Sequence, residues 1–285
     1  MRTKIYLSAF ADEAGSSLKE QIVALKRNKI SYLEIRGVGD KNISDLTNEE
    51  AKEAYNLLKK NKIKVWSIGS PLGKVDIKVS EKEFLEKTRR ICEIAKIFNC
   101  KNVRMFSFYN ARKSKKKVFS LLNKATKLAK DFGVYLCHEN EKDIYGDVEP
   151  HVSELLKNVP DLKIVYDPGN FVYCNQEIAK SISTLGSKAY YFHIKDCILG
   201  KQIIVPAGEG DARIKDIVEQ IKKNTVLTIE PHLMMFSSYK GFDSAELKNK
   251  YKFKNNKESF DFAVKSLKAI LKKVGYKEGK GVFCK

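Results

Sequence analysis

Eight times along this chain a short apolar or alternating run gives way to a stretch with apolar residues three and four positions apart. Leu18, Ile22 and Leu25 illustrate the second period. The short runs predict strands at 4–9, 31–36, 64–68, 102–106, 134–138, 163–166, 189–194 and 226–229. The amphipathic stretches predict helices at 16–27, 48–60, 81–98, 116–131, 149–157, 177–183, 214–222 and 259–274. Thr47-Asn-Glu-Glu50 and Ser80-Glu-Lys-Glu83 read as capping boxes, and Gly133 stands where a helix should stop before a strand.

Strands joined by crossover helices form a parallel sheet, and eight such units in 285 residues fit an α/β fold of the closed (β/α)8 TIM-barrel type. A doubly wound open sheet is the rival, but no glycine-rich turn follows the first strand. The expectation is a single domain over residues 1–285. The polar stretch 234–257 is expected to be a lid-like insertion over the barrel mouth, and the tail 277–285 to be mobile.

Composition narrows the classes. Net charge is +19, which on its own suggests nucleic acid, yet only eight of the 54 basic residues are arginine. Arginine is the residue suited to phosphate forks and base stacking, so the lysines read as a solvated surface and nucleic acid as an unlikely partner. The dense run Lys113-Ser-Lys-Lys-Lys117 begins a predicted helix and reads the same way. Six scattered cysteines form no Cys-x-x-Cys pair, which fits reduced thiols. No run approaches the ~18 apolar residues of a membrane helix, and the N-terminal stretch alternates like a strand. The expected location is the cytoplasm.

In barrels of this kind the site lies at the C-terminal strand ends. Glu139, Asp167, His193 and Glu230 end four successive predicted strands. Neighbouring strands are ~4.8 Å apart, so three carboxylates and one imidazole can converge on one divalent ion. Such a donor set suits Mn2+ first, with Mg2+, Co2+ or Zn2+ as alternatives.

The segments His138-Glu-Asn140, Asp167-Pro-Gly-Asn170, Phe192-His-Ile-Lys-Asp196 and Pro206-Ala-Gly-Glu-Gly-Asp211 carry a resemblance. With Ser8-Ala-Phe-Ala-Asp-Glu13 and Glu230-Pro-His232, they make nearly the whole chain similar to the xylose isomerase-like TIM-barrel superfamily, in its sugar phosphate isomerase/epimerase branch. The resemblance implies Glu139, Asp167, His193 and Glu230 as ligands of one metal ion. It also implies Glu139 and Glu230 as the acid/base pair of an enediolate reaction, a sugar, polyol or sugar phosphate as substrate, and a homodimer or homotetramer. The superfamily includes DNA-repair endonucleases with three zinc ions, whose additional histidines are missing from Trp66-Ser-Ile-Gly69 and Arg104-Met-Phe-Ser107. Asn170 stands where many relatives have a second histidine.

Other strand-end residues have two readings each. Arg36 with Glu34 forms either a substrate-side fork or an internal salt bridge, and Arg104 has the same ambiguity. Lys195 contacts substrate oxygens or pairs with an acid. Glu209 reaches the site or fixes its loop, and His232 touches substrate or lies on the surface. His138 points away from Glu139 on a regular strand and is expected in the core, whereas Trp66 near the mouth either stacks on a sugar or is buried in the wall. Four functions compete: a metal-dependent isomerase or epimerase, an inosose-type dehydratase on the same scaffold, an endonuclease-like protein, and a binding or regulatory barrel without catalysis.

Overall fold

The computed structural model describes residues 3–236, 251–279 and 281–285, so most of the expected lid, 237–250, lies outside the described residues. The eight strands are β1 Lys4–Ala9, β2 Tyr32–Ile35, β3 Lys64–Ile68, β4 Asn102–Met105, β5 Tyr135–Glu139, β6 Lys163–Tyr166, β7 Tyr191–Ile194 and β8 Thr225–Ile229. All pair in parallel from β2 round to β8, β8 pairs in parallel with β1, and β1 lies against β2 to close the ring.

The predicted helices form with ends shifted by a few residues: α1 Leu18–Arg27, α2 Asn48–Lys60, α3 Glu81–Ile97, α4 Lys115–Asp131, α5 Glu149–Asn158, then α7 Ile178–Leu185, α8 Ile214–Gln220 and α9 Asn256–Lys273. The short α6, Pro168–Tyr173, was not expected from periodicity, because six residues are less than two turns. Thr47 and Glu50 make the full reciprocal capping box, but Ser80 only accepts from the Glu83 amide. A further box, Ser17 with Glu20, starts α1. Gly133 ends α4 at a φ of +68°, as its position suggested. Among the described residues no helix is long and apolar enough to cross a membrane.

The tail is not loose. Val282–Cys284 pairs antiparallel with β1, setting Phe283 opposite Ile5, and Lys277–Glu278 completes the hairpin. It covers the edge of β1 opposite β8, and a buried Phe283 ties it to the core.

Strand alternation sorts the side chains into two cores. Leu136 and His138, Ile164 and Tyr166, Phe192 and Ile194, Leu227 and Ile229 face the helices. Cys137 and Glu139, Val165 and Asp167, Tyr191 and His193, Val226 and Thr228 face the barrel interior. Trp66 belongs to the floor, not the mouth. The β2–β3 register jumps from Leu33↔Val65 to Glu34↔Ser67, and Trp66 packs on Tyr32, Tyr190 and Tyr191. Its aromatic neighbours fill the N-terminal end of the barrel, so it takes the packing role.

Candidate metal centre at the barrel mouth

Above the aromatic floor the interior turns polar in layers. Tyr191 donates to Glu34 Oε1 at 2.8 Å, and Thr228 donates to Glu34 Oε2 at 3.0 Å. His193 Nε2 is 3.1 Å from the same Oε2, while His193 Nδ1 turns toward the mouth, 3.0 Å from Glu139 Oε1 and 3.2 Å from Glu230 Oε2. Glu34 is fully buried and does not line the mouth cavity. The substrate-side reading of Glu34 is therefore corrected: it lies beneath His193, orients the ring, and leaves Nδ1 for the site. Arg36 takes no part in a fork with Glu34. It binds Asp12 through two nitrogens, at 2.9 and 3.0 Å, and reaches Glu13 at 3.4 Å and Glu230 at 3.2 Å.

The next layer holds the four strand-end residues. One donor atom from each of Glu139, Asp167, His193 and Glu230 lies within 4.8 Å of the other three, and all four residues are buried. Among the described residues Asp167 Oδ2 and Glu230 Oε2 have no well-aligned hydrogen bond; Lys195 Nζ stands 3.2 and 3.6 Å from them, and His193 Nδ1 stands 3.2 Å from Glu230 Oε2. Three buried carboxylates this close together are costly unless positive charge neutralises them. A divalent cation fits that position and that donor set.

Local sequence explains the arrangement. Asp167 caps α6, its Oδ1 accepting the Asn170 amide at 2.9 Å, which leaves Oδ2 for the centre. Pro168 opens the helix, and Gly169 lets it pass β7, since a Cβ there would lie 2.7 Å from the Lys195 carbonyl oxygen. Asn140 clamps Asp167 by its backbone, accepting from the amide at 2.9 Å and donating to the carbonyl at 2.8 Å. Asn170 lines the cavity, donating to the Asn140 carbonyl at 2.9 Å and toward Glu139 at 3.3 Å. Arg104 bridges the two glutamates, 3.1 Å from Glu139 and 3.7 Å from Glu230.

Electrostatics follow from this crowding. Burial raises the Asp167 carboxyl, which Lys195 only partly offsets and the neighbouring glutamates reinforce, to about 7. Burial alone would lower His193, but Glu139 and Glu34 outweigh it and hold the imidazolium well above the usual histidine range. Burial would also raise Glu230, but Lys195, His232 and His193 hold it well below the usual carboxylate range. Burial pushes Glu13 up to about 8.

Two further expectations are resolved by position. Glu209 is exposed and does not line the cavity; Asp196 fixes the 206–212 turn, accepting from the amides of Gly208, Gly210 and Ala212 at 2.8 to 3.1 Å. His232 is buried, not superficial. It stacks on Phe236, its amide donates to Glu13 at 2.8 Å, and Nε2 lies 3.6 Å from both Glu13 and Glu230. Sequence reasoning passed over Asp12 and Glu13 as site residues. They lie in the Ser8–Glu13 segment of the resemblance, on the 3-10 turn Ala11–Glu13 just past β1 where strand alternation no longer applies.

His138 faces the helices, as alternation predicted, with Nε2 2.9 Å from Ser107 Oγ. Burial lowers its pKa to about 3. Unfolding exposes an ordinary histidine near 6.5, so below that pH the unfolded state binds a proton that the native state does not. Stability should therefore fall as pH drops from about 6.5 to 3, by on the order of 5 kcal/mol from this group alone. Urea denaturation across that range should show the slope, and His138→Asn should flatten it.

The supports of the centre make a second test. Glu34→Gln and Asn140→Ala should each weaken Mn2+ binding by about 10- to 100-fold. Competition with a chelating dye measures this directly; unchanged affinity in both variants would remove them from the site.

Three carboxylates and an imidazole gathered at the strand ends make this a TIM barrel with a cluster that could hold a metal ion, and sequence comparison assigns the family. Residues 22–234 match the family model for the xylose isomerase-like TIM barrel, and the chain belongs to that family. No curated protein matches the chain. Among solved structures it is similar to the IolI protein with a bound zinc atom, at 17% identity over 94% of this chain and 99% of that one, with a TM-score of 0.71. It is similar also to the probable 3-DHS dehydratase AsbF of Bacillus anthracis, at 16% identity over 92% and 98% of the two chains, TM-score 0.70. A D-tagatose 3-epimerase-like protein matches at 15% identity over 95% and 100%, TM-score 0.69. Identities this low speak for the fold; the names span epimerase and dehydratase chemistry.

Proposed function

We propose that this chain is a divalent-metal-dependent isomerase or epimerase of a sugar, polyol or sugar phosphate, working through an enediolate. The observation that carries the reading is the convergence of Glu139, Asp167, His193 and Glu230 at the barrel mouth, with one donor atom of each within 4.8 Å of the other three. Those four residues would hold the ion, with Mn2+ the first choice for this donor set, while the zinc atom in IolI favours testing Zn2+ beside it. When bound, such an ion acts as a Lewis acid on a carbonyl and the adjacent hydroxyl.

The protein groups supply the proton chemistry. Glu139 ends β5 and Glu230 follows β8, so the two carboxylates approach from opposite sides, with Asp167 and His193 between them in strand order. One removes the proton next to the carbonyl and the other returns one, on the same or the opposite face. Arg104 contacts the outer oxygens of both glutamates, and Arg36 contacts that of Glu230. Lys195 reaches the same cluster and is placed to neutralise a developing oxyanion.

The test is a screen of ketoses and their phosphates in deuterated water with Mn2+-, Co2+- or Zn2+-loaded protein. Deuterium entering the carbon next to the carbonyl supports the reading. Loss of water with a new absorbance would replace it with the dehydratase, and nicking of abasic DNA would replace it with the nuclease. Tight metal binding without turnover of any carbohydrate would leave a binding protein.

A further inference from the structure

Two arginines of the mouth are held by rings as well as by acids. The guanidinium carbon of Arg36 lies 4.4 Å from the centre of the Phe10 ring and 4.7 Å from that of Phe236. The guanidinium carbon of Arg104 lies 4.8 Å from the same Phe10 ring and 5.1 Å from that of Phe106. Phe10 is therefore the ring that both cations share. It stands just past β1, its amide donates to the Ile229 carbonyl at 3.0 Å, and its ring meets His193 edge-on with centres 5.2 Å apart. Gly69 makes room for it, since a Cβ there would lie 2.7 Å from Phe10 Cε1. All three rings are buried, yet none of them joins either of the two hydrophobic cores. Their neighbours are cations: Phe106 also takes Lys74, whose Nζ is 4.5 Å from its centre and 3.2 Å from Glu141 on the loop after β5.

The two arginines sort the oxygens of the paired glutamates. Arg104 stands 3.1 Å from Glu139 Oε2 and 3.7 Å from Glu230 Oε1, and Arg36 stands 3.2 Å from that same Glu230 Oε1. The other oxygen of each carboxylate faces His193 Nδ1, Glu139 Oε1 at 3.0 Å and Glu230 Oε2 at 3.2 Å. Hydrogen bonds do not account for the whole hold on Arg104. A guanidinium has five N–H donors. Those of Arg104 reach Glu139 and the Gly69 carbonyl, and among the described residues its Nε has no partner. Ring faces supply the remainder. A planar, weakly hydrated guanidinium is drawn to the negative face of an aromatic ring, most strongly where water is excluded.

We propose that Phe10 is a positioning residue of this centre. Its ring fixes Arg36 and Arg104 on the outer oxygens of Glu139 and Glu230, which leaves one oxygen of each glutamate for a cation. The proposal rests on the metal-centre reading, and it adds the residue that decides how the two glutamates present themselves. Phe10 acts here through the charge distribution of its ring, not through its volume.

Replacing Phe10 alone by a trifluorinated phenylalanine, through stop-codon suppression, keeps the ring's shape and strips the negative potential from its face. Two readouts follow. In ion-free protein the Nε–Hε signals of Arg36 and Arg104, assigned among the eight arginines with Arg36→Lys and Arg104→Lys, should lie upfield through ring currents. Fluorination should move them downfield and speed their exchange with water about tenfold, since a desolvated contact of this kind is worth about one decade. In Co2+-loaded protein the visible absorption should weaken, because released outer oxygens let the carboxylates bind through both oxygens and raise the coordination number. Phe10→Leu should show both effects more strongly. The same fluorination at Phe84, packed on Phe108 in the core beneath the helices, should change neither. Unchanged melting curves show that both fluorinated proteins are folded. The proposal is overturned if either readout ignores fluorination at position 10; Co2+ binding by the same protein then spares the metal centre. A wild type that binds no divalent ion rejects the centre itself, and with it the presentation of oxygens to an ion, even if the arginine signals still answer to position 10.

Discussion

Glu139→Gln and Glu230→Gln should each lower turnover of an authentic substrate by about 100- to 10,000-fold while the barrel stays folded. The size follows from the role assigned. A carbon acid next to a carbonyl is weak, and an amide neither takes its proton nor returns one. Both glutamates are also donors to the proposed centre, so the comparison must be made with the ion saturating and its occupancy measured. Under that condition a ligand that only binds the ion gives a loss that excess metal restores; an acid/base group gives a loss in kcat that metal leaves untouched. The geometry gives a finer expectation. Glu139 and Glu230 come from β5 and β8, and Arg104 spans their outer oxygens at 3.1 and 3.7 Å. If the two act on opposite faces, one variant should retain deuterium wash-in while failing to form product, and the other should lose both. Near-wild-type activity in both variants, with the ion fully bound, would sink the acid/base assignment.

The second large effect is on stability. Three buried carboxylates within reach of one another repel, and Lys195, Arg36 and Arg104 offset this only in part. A cation bound by the native state and not by the unfolded chain stabilises by about 4 kcal/mol at a thousandfold excess over Kd. For a chain of this size that corresponds to a Tm rise of roughly 5–10 °C. Differential scanning calorimetry of protein stripped with EDTA, then titrated with Mn2+ or Zn2+, reads it. The rise should shrink sharply in Asp167→Asn and His193→Gln, because each removes one donor. A Tm indifferent to every divalent ion would remove the centre and the chemistry built on it.

The two predictions lean on different layers of information. The order of strands and helices, and with it the barrel, was legible from the alternation of short and three-to-four-residue apolar spacing, because both periods follow from backbone geometry that any sequence must obey. The four strand-end residues were legible for the same reason: a strand's inward column runs on through the strand end, so Glu139, Asp167, His193 and Glu230 face one another once the barrel closes. His138 followed from the same alternation, one position out of phase.

What lay outside that reach involves contacts between residues distant in sequence. Glu34 and Arg36 look like a local pair, yet the barrel sends Glu34 down to His193, 159 positions away, and Arg36 across to Asp12 and Glu230. The skipped register at Trp66 and the hairpin that seats Phe283 against β1 depend on which edges and fillings remain after the helices have packed. The junction of Lys74, Glu141 and Lys142 brings together loops after β3 and β5, and no periodic pattern describes loops. The chain by itself determined its elements and the inward column at each strand end, since these depend on local geometry repeated along the backbone. Only the closed tertiary structure decided which charges pair and which support the centre, because in a low-dielectric interior each charge takes the nearest partner that packing allows.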